Sequence, residues 1–136
     1  MATFLLKKSY HLKDLQEIDF KDLWGDHGIF TTMWIFGKPP KILFFKNHLS
    51  NLLKSLKKYK INKRFIKSNI LQILNKNLSK NKNYNHLLRI ALNKNTISIS
   101  FRKRLIPKLN FNLKLVNLRR ERPQFKNLKY KKILSY

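Results

Sequence analysis

The amino-acid sequence predicts an α+β fold, an antiparallel sheet with two helices on one face. Three observations carry that reading. Ile97, Ile99 and Phe101 alternate with serines, and Phe111, Leu113 and Leu115 alternate with Asn112 and Lys114, the period of a half-buried strand. Leu49, Leu52, Leu53 and Leu56 recur at helical spacing, as do Ile66, Ile70, Ile73 and Leu74. The order is a hairpin, two helices and then several strands, with no internal repeat, which suits helices laid on one side of an antiparallel sheet.

Taken in order, a short strand is expected at Thr3–Leu6. Gly25, Asp26 and Gly28 mark a turn before Ile29–Phe36, whose aromatic and β-branched residues favour a strand. Gly37-Lys38-Pro39-Pro40 is a compact turn, because Gly relaxes φ and Pro fixes it, and Ile42–Phe45 is the expected returning strand. Asn47 is the expected cap of the first helix. The second helix runs out in the polar stretch Asn75–Asn85, read as a loop. Leu87–Leu92, Ile97–Phe101 and Phe111–Leu115 complete the sheet, with Pro107 in a turn. Residues 119–129 are basic and irregular around Pro123, and Tyr130–Tyr136 begins a further element. The expected division is an α+β domain over residues 1–118, then an interdomain segment over 119–136.

A chain of 136 residues with 43% hydrophobic content can fill one core. The absence of Cys excludes disulfides, thiolate metal sites and a Cys nucleophile. His11, His27, His48 and His86 lack metal-ligand spacing, so no metal is expected. No apolar run approaches the ~20 residues that span a bilayer, and the start suits neither a secretory signal nor a transit peptide. A cytoplasmic location, or alternatively an organellar matrix, is expected.

Charge is the most unusual feature. The chain carries 31 Lys and Arg against 6 Asp and Glu, a formal +25. Residues 1–45 are nearly balanced, six basic against five acidic, whereas Glu121 is the one acid after them. Such a surface attracts polyanions through counterion release. All Asn also falls after position 46, mixed with Lys, Ile and Leu. That is the vocabulary of an A+T-rich coding sequence, so selected polyanion binding and compositional drift both stay open. Because no single element combines exposed aromatics with basic residues, RNA binding is expected to be non-specific, with Kd roughly 10⁻⁴–10⁻⁶ M.

The segment from Asp19 to Ile61 resembles the N-terminal part of the class IV pyridoxal-phosphate enzymes, which include branched-chain and D-amino-acid aminotransferases and 4-amino-4-deoxychorismate lyase. Asp19 stands six residues before Gly25, followed by Trp24-Gly25-Asp26-His27-Gly28-Ile29-Phe30-Thr31-Thr32 where the family has Tyr-Gly-Asp-Gly and a strand. Gly37-Lys38-Pro39 matches a family hairpin turn, and His48, Leu52 and Ser55 match its following helix. Leu87-Leu88-Arg89-Ile90 fits the next strand, and Arg122–Tyr130 is similar to the segment leading into the cofactor lysine. The Phe30-Thr31-Thr32 wording is nearest the lyase branch.

The resemblance implies pyridoxal phosphate as cofactor, with Lys129 the catalytic lysine that carries it and Asn51 at the position that meets its phosphate. It implies Phe30, Thr32 and Arg89 toward the substrate. Read without it, Lys129 is one more lysine of a basic tail, Thr31 and Thr32 are ordinary strand residues, His48 is a surface or capping residue, and Arg89 lies on a solvated face. Arg119, Arg120 and Arg122 form a cluster suited to a phosphate or simply to solvent. Three departures count against full activity: His27 is extra within the turn, Asn51 replaces an Arg, and the family's second domain would follow Lys129. Asn supplies neither charge nor a bidentate fork, so weak phosphate affinity is expected. The expected function is therefore a lyase or aminotransferase of this family, inactive alone. The expected partner is a missing cofactor domain or second subunit, with a homodimer as one form. The alternative is a small basic RNA-associated protein such as a ribosomal or organellar-ribosomal component, and a family fold recruited for binding joins the two.

Overall fold

The computed structural model describes residues 3–106, 108–110, 112, 113, 115, 117, 122 and 124–128. Lys129, Arg119, Arg120, Pro107, Pro123 and the element expected at Tyr130–Tyr136 lie outside them. The elements are β1 (Phe4–His11), β2 (Glu17–Ile18), β3 (Ile29–Gly37), β4 (Lys41–Ile42), α1 (Phe45–Ser55), α2 (Ile66–Asn77), β5 (Tyr84–Leu92) and β6 (Thr96–Lys103), with a 3-10 turn at Leu56–Tyr59. The strands form one sheet in the order β2-β1-β6-β5-β3-β4, antiparallel throughout. This is the α+β class read from the sequence.

Alternation decides which face each strand residue joins. In β3, Ile29, Thr31, Met33 and Ile35 are buried on the helix side, while Phe30, Thr32, Trp34 and Phe36 alternate to the other. Ile97, Ile99 and Phe101 of β6 and Leu88, Ile90 and Leu92 of β5 join the helix side. There they meet Leu49, Leu52 and Leu56 from the first helical segment and Ile66, Ile70, Ile73 and Leu74 from α2 in one core. The leucine and isoleucine periodicities are thus the two inward helix stripes.

Among the described residues no helix covers the other face, but a loop does in part. The Ser9 and Ser98 hydroxyls share a 2.7 Å hydrogen bond, and Ser9 Oγ accepts the Lys21 N–H at 2.9 Å. Leu23, Ala91 and Leu128 form a second small core with Trp24 and Phe30 packed against it. Residues 126–128 run beside the start of β3. Phe30 N–H donates to the Lys126 carbonyl at 2.8 Å, Leu128 N–H to Gly28 at 2.9 Å, and Asn127 bridges Ile29. Gly28 is required here by space, since a Cβ would run into the Leu92 carbonyl oxygen and lie 2.8 Å from Leu128 Cδ1.

Four local expectations are corrected. The first strand extends to His11, because Lys7 and Lys8 belong to it: Lys7 lies over the Phe4 ring at 4.3 Å and Lys8 pairs with Glu17 at 2.8 Å. Their aliphatic stems lie along the sheet while the charged ends reach a ring or an acid, which hides the strand from an apolar count. The returning strand ends at Ile42, apart from a Leu43 N–H bond to the Trp34 carbonyl, because Phe44 turns left-handed at φ 51° and launches α1. Asn47 consequently sits inside α1, which starts with no side-chain cap. No strand includes Asn112, Leu113 or Leu115, and both leucines are fully exposed: their alternation has no register partner.

Candidate functional site

Two cavities flank the first residues of β3, one on each side of the sheet. The helix-side cavity, about 460 Å³, is bounded by Ile29, Thr31, His48, Asn51, Lys54, Phe125 and Lys126 among others. The Thr31 hydroxyl and His48 Nδ1 share a 2.9 Å hydrogen bond, which ties β3 to α1 at the cavity wall. Burial, and then the charge of Lys126, push the His48 pKa below its ordinary value. Asn51 is exposed on the next turn of α1, and its carbonyl accepts the Ser55 hydroxyl at 3.0 Å.

The opposite cavity, about 450 Å³, is bounded by Phe4, Phe20, Trp24 and Phe30, with Lys7, Arg89 and Arg102 as cations, Asp22 as an acid and Thr32 and Ser100 as hydroxyls. Thr32, Arg89 and Ser100 are register neighbours across β3, β5 and β6, which is why three distant residues share one wall. Arg89 is held from two sides. Its Nη2 donates to the Asp22 carbonyl at 2.9 Å, and its guanidinium lies 3.8 Å from the Trp24 ring centroid. Its Nε is buried without a hydrogen-bond partner. Burial is the main reason its pKa is pushed down to about 10, with Asp22 opposing that shift and Arg102 adding to it.

The structure therefore brings Phe30, Thr32 and Arg89 together, and it puts Asn51 on the other side of the sheet. Lys129 lies outside the described residues. Sequence reading missed Lys54 and Lys126, which line the cavity with Asn51, and Trp24, which stacks on Arg89. The signal for Lys54 was its place one helical turn beyond Asn51; nothing in the sequence pairs Arg89 with Trp24. Among the described residues no group of His, Asp and Glu could hold a metal ion, and no helix is long and apolar enough to cross a membrane.

Comparison with known families adds to this geometry. The amino-transferase class IV family matches residues 28–136, most of the chain, and the chain belongs to that family. This is a family of enzymes that generally use pyridoxal phosphate. No curated protein and no solved structure matches the chain.

Proposed function

We propose that the chain binds pyridoxal phosphate and acts on a carboxylate-bearing amine, as a lyase or aminotransferase. The observation that carries this reading is Arg89, a half-buried guanidinium stacked on Trp24 whose buried Nε has no partner, in a cavity of hydroxyls and rings. A buried donor left without a partner costs about 1–3 kcal/mol, and a substrate carboxylate would satisfy it. Thr32 and Ser100 would orient the carboxylate, while Trp24 and Phe30 exclude water from it. Three cations and four aromatic rings around one cavity favour a ring substrate with more than one carboxylate, which supports the 4-amino-4-deoxychorismate lyase arm over a simple amino-acid aminotransferase.

The helix-side residues fit a phosphate, and a cofactor held there would have to reach the Arg89 cavity around the start of β3, where Phe30 borders both cavities. Lys54, Lys126 and the Asn51 amide are all donors on one cavity, and the downward push of Lys126 on His48 marks its potential as positive. Lys54 and Lys126 would supply the charge that Asn51 cannot, and Lys129 would anchor the cofactor covalently. When bound, pyridoxal phosphate supplies the electron sink for the substrate carbanion.

Binding of a ring dicarboxylate, followed by quenching of Trp fluorescence, tests the Arg89 pocket. Arg89→Gln should weaken it at least tenfold while leaving the fold intact by circular dichroism. Equal affinity in the two proteins would refute the carboxylate assignment. For the cofactor, borohydride reduction in the presence of pyridoxal phosphate should label Lys129, and Asn51→Arg should tighten binding. Indiscriminate labelling of many lysines would refute the cofactor assignment. Release of pyruvate and 4-aminobenzoate then separates lyase from aminotransferase. The family partner enters this reading as a second subunit or cofactor-domain chain, identified by restored turnover on mixing.

A further inference from the structure

We propose that the far corner of the loop-side sheet face, built by Trp34, Phe36, Lys41, Asn85, Arg102 and Arg104, binds single-stranded nucleic acid. No single element combines exposed aromatic and basic residues, but the sheet register brings them together from several. Trp34 and Phe36 stand one above the other on β3, their ring centroids 4.5 Å apart and their planes 32° from parallel. Lys41 of β4 is the register partner of Phe36, and Asn85 of β5 is its partner on the other side. Leu87 lies opposite Trp34 and is itself paired with Arg102 of β6. Just past β6, the Arg104 guanidinium lies 4.4 Å from the Trp34 ring centroid. Each element contributes one or two residues, and the platform exists only once four strands are side by side.

Three features select the occupant. Both rings are half-buried rather than enclosed, so they are fixed in orientation and still present surface. The Asn85 side chain accepts the Trp34 indole N–H at 2.9 Å, which locks the ring in place. The cations around them have no acidic counterpart in register, and five of the six acidic residues precede β3 in the chain. Fixed rings among unneutralised cations suit a chain that carries both π-faces and phosphates, and unstacked bases provide the π-faces where a duplex does not. Arg104 adds a guanidinium plane of its own for stacking. This corner adjoins the Arg89 cavity through Arg102, which borders both, whereas Trp34, Phe36, Lys41, Asn85 and Arg104 do not line that cavity, so variants at Trp34 and Arg104 test the corner by itself.

The test is fluorescence anisotropy of the full chain with labelled oligouridylate of about 12 nucleotides, within the range one such surface spans. The expected result is tighter binding of this strand than of a duplex of equal length, with oligothymidylate within a few-fold of it. Trp34→Ala should weaken binding about 5- to 100-fold, the loss expected for one stacked base. Trp34→Phe keeps a ring and should stay within about threefold of the parent. Arg104→Gln should weaken binding and lower the salt slope by about one, since one phosphate contact is lost. In a Trp24→Phe background, where Trp34 is the remaining tryptophan, the oligonucleotide should quench its emission. Equal affinity for duplex and single strand would overturn the proposal, as would Trp34→Ala binding as tightly as Trp34→Phe. Burial of Trp34 by self-association without nucleic acid would assign this face to a second copy of the chain and overturn it too.

Discussion

Gly28 is the residue whose replacement has the most predictable consequence. The missing side chain is what lets β3 start between the Leu92 carbonyl and Leu128, so Gly28→Ala must displace backbone rather than a flexible side-chain end. The expected loss is about 3 kcal/mol, the upper end of overpacking costs, read by urea unfolding. A loss below about 1 kcal/mol would mean that Gly28 is not held against the Leu92 carbonyl in this way. Two histidines make a second prediction. Burial, then Lys126, hold His48 below its ordinary 6.5, and burial, then Lys82 and Lys103, do the same to His86. Each binds fewer protons folded than unfolded, so its contribution is complete above 6.5 and is lost as pH falls through the folded value. The Tm should therefore drop between about pH 7.5 and 5.5, and His48→Gln with His86→Gln should flatten that drop. An unchanged slope in the double variant would dismiss the two histidines as its source. At this scale the sequence was informative where a residue type is rare for its setting, as with Arg89 in an apolar strand. It was silent on partners: nothing local pairs Arg89 with Trp24, or Trp34 with Arg104.

At the scale of elements, periodicity located both helices and the strands of the central sheet, because one face of each is buried against the same core. It failed where buried residues are too few and too interrupted by polar ones to show a period. The second half of β1 buries Ser9 and Tyr10, the latter in the main core, but they stand between Lys7, Lys8 and His11. The alternation at Phe111–Leu115, by contrast, finds no strand to pair with among its described residues. Both helices also begin without the caps that sequence rules look for: Phe44 and Phe65 precede them in left-handed conformation, at φ 51° and 66°, with no capping side chain. An L-residue pays roughly 1–2 kcal/mol for that conformation. Phe44 is 66% exposed, so its ring returns little of it. Phe44→Gly should thus be neutral or stabilising by up to about 1 kcal/mol, the relief being partly offset by the freedom glycine has when unfolded. Phe44→Val should destabilise, since a β-branched residue tolerates positive φ least. Thermal melts of the two variants check this, and a more stable Val variant would contradict the left-handed start.

For the whole molecule, charge and apolar exposure oppose each other, and salt sets the balance between them. A net +25 repels a second copy, and one ion pair, Lys8 with Glu17, joins opposite charges among the described residues. Against that repulsion stands exposed apolar surface on the helix layer: Leu43 and Phe44 before α1, and Phe65 and Leu71 at α2. Exposed rings and leucines of this kind favour association once close approach is allowed. The screening length shrinks from about 30 Å at 0.01 M to about 10 Å at 0.1 M and 3 Å at 1 M, so the repulsion weakens while the apolar attraction persists. The chain should therefore sediment as a monomer at low ionic strength and associate as salt rises. Phe44→Gly, which keeps the start of α1, should shift the association to higher salt. The opposite salt dependence, with assemblies that dissolve when salt is added, would show that charge rather than apolar surface holds copies together. Monomeric mass across the whole range would show that these side chains do not form a contact.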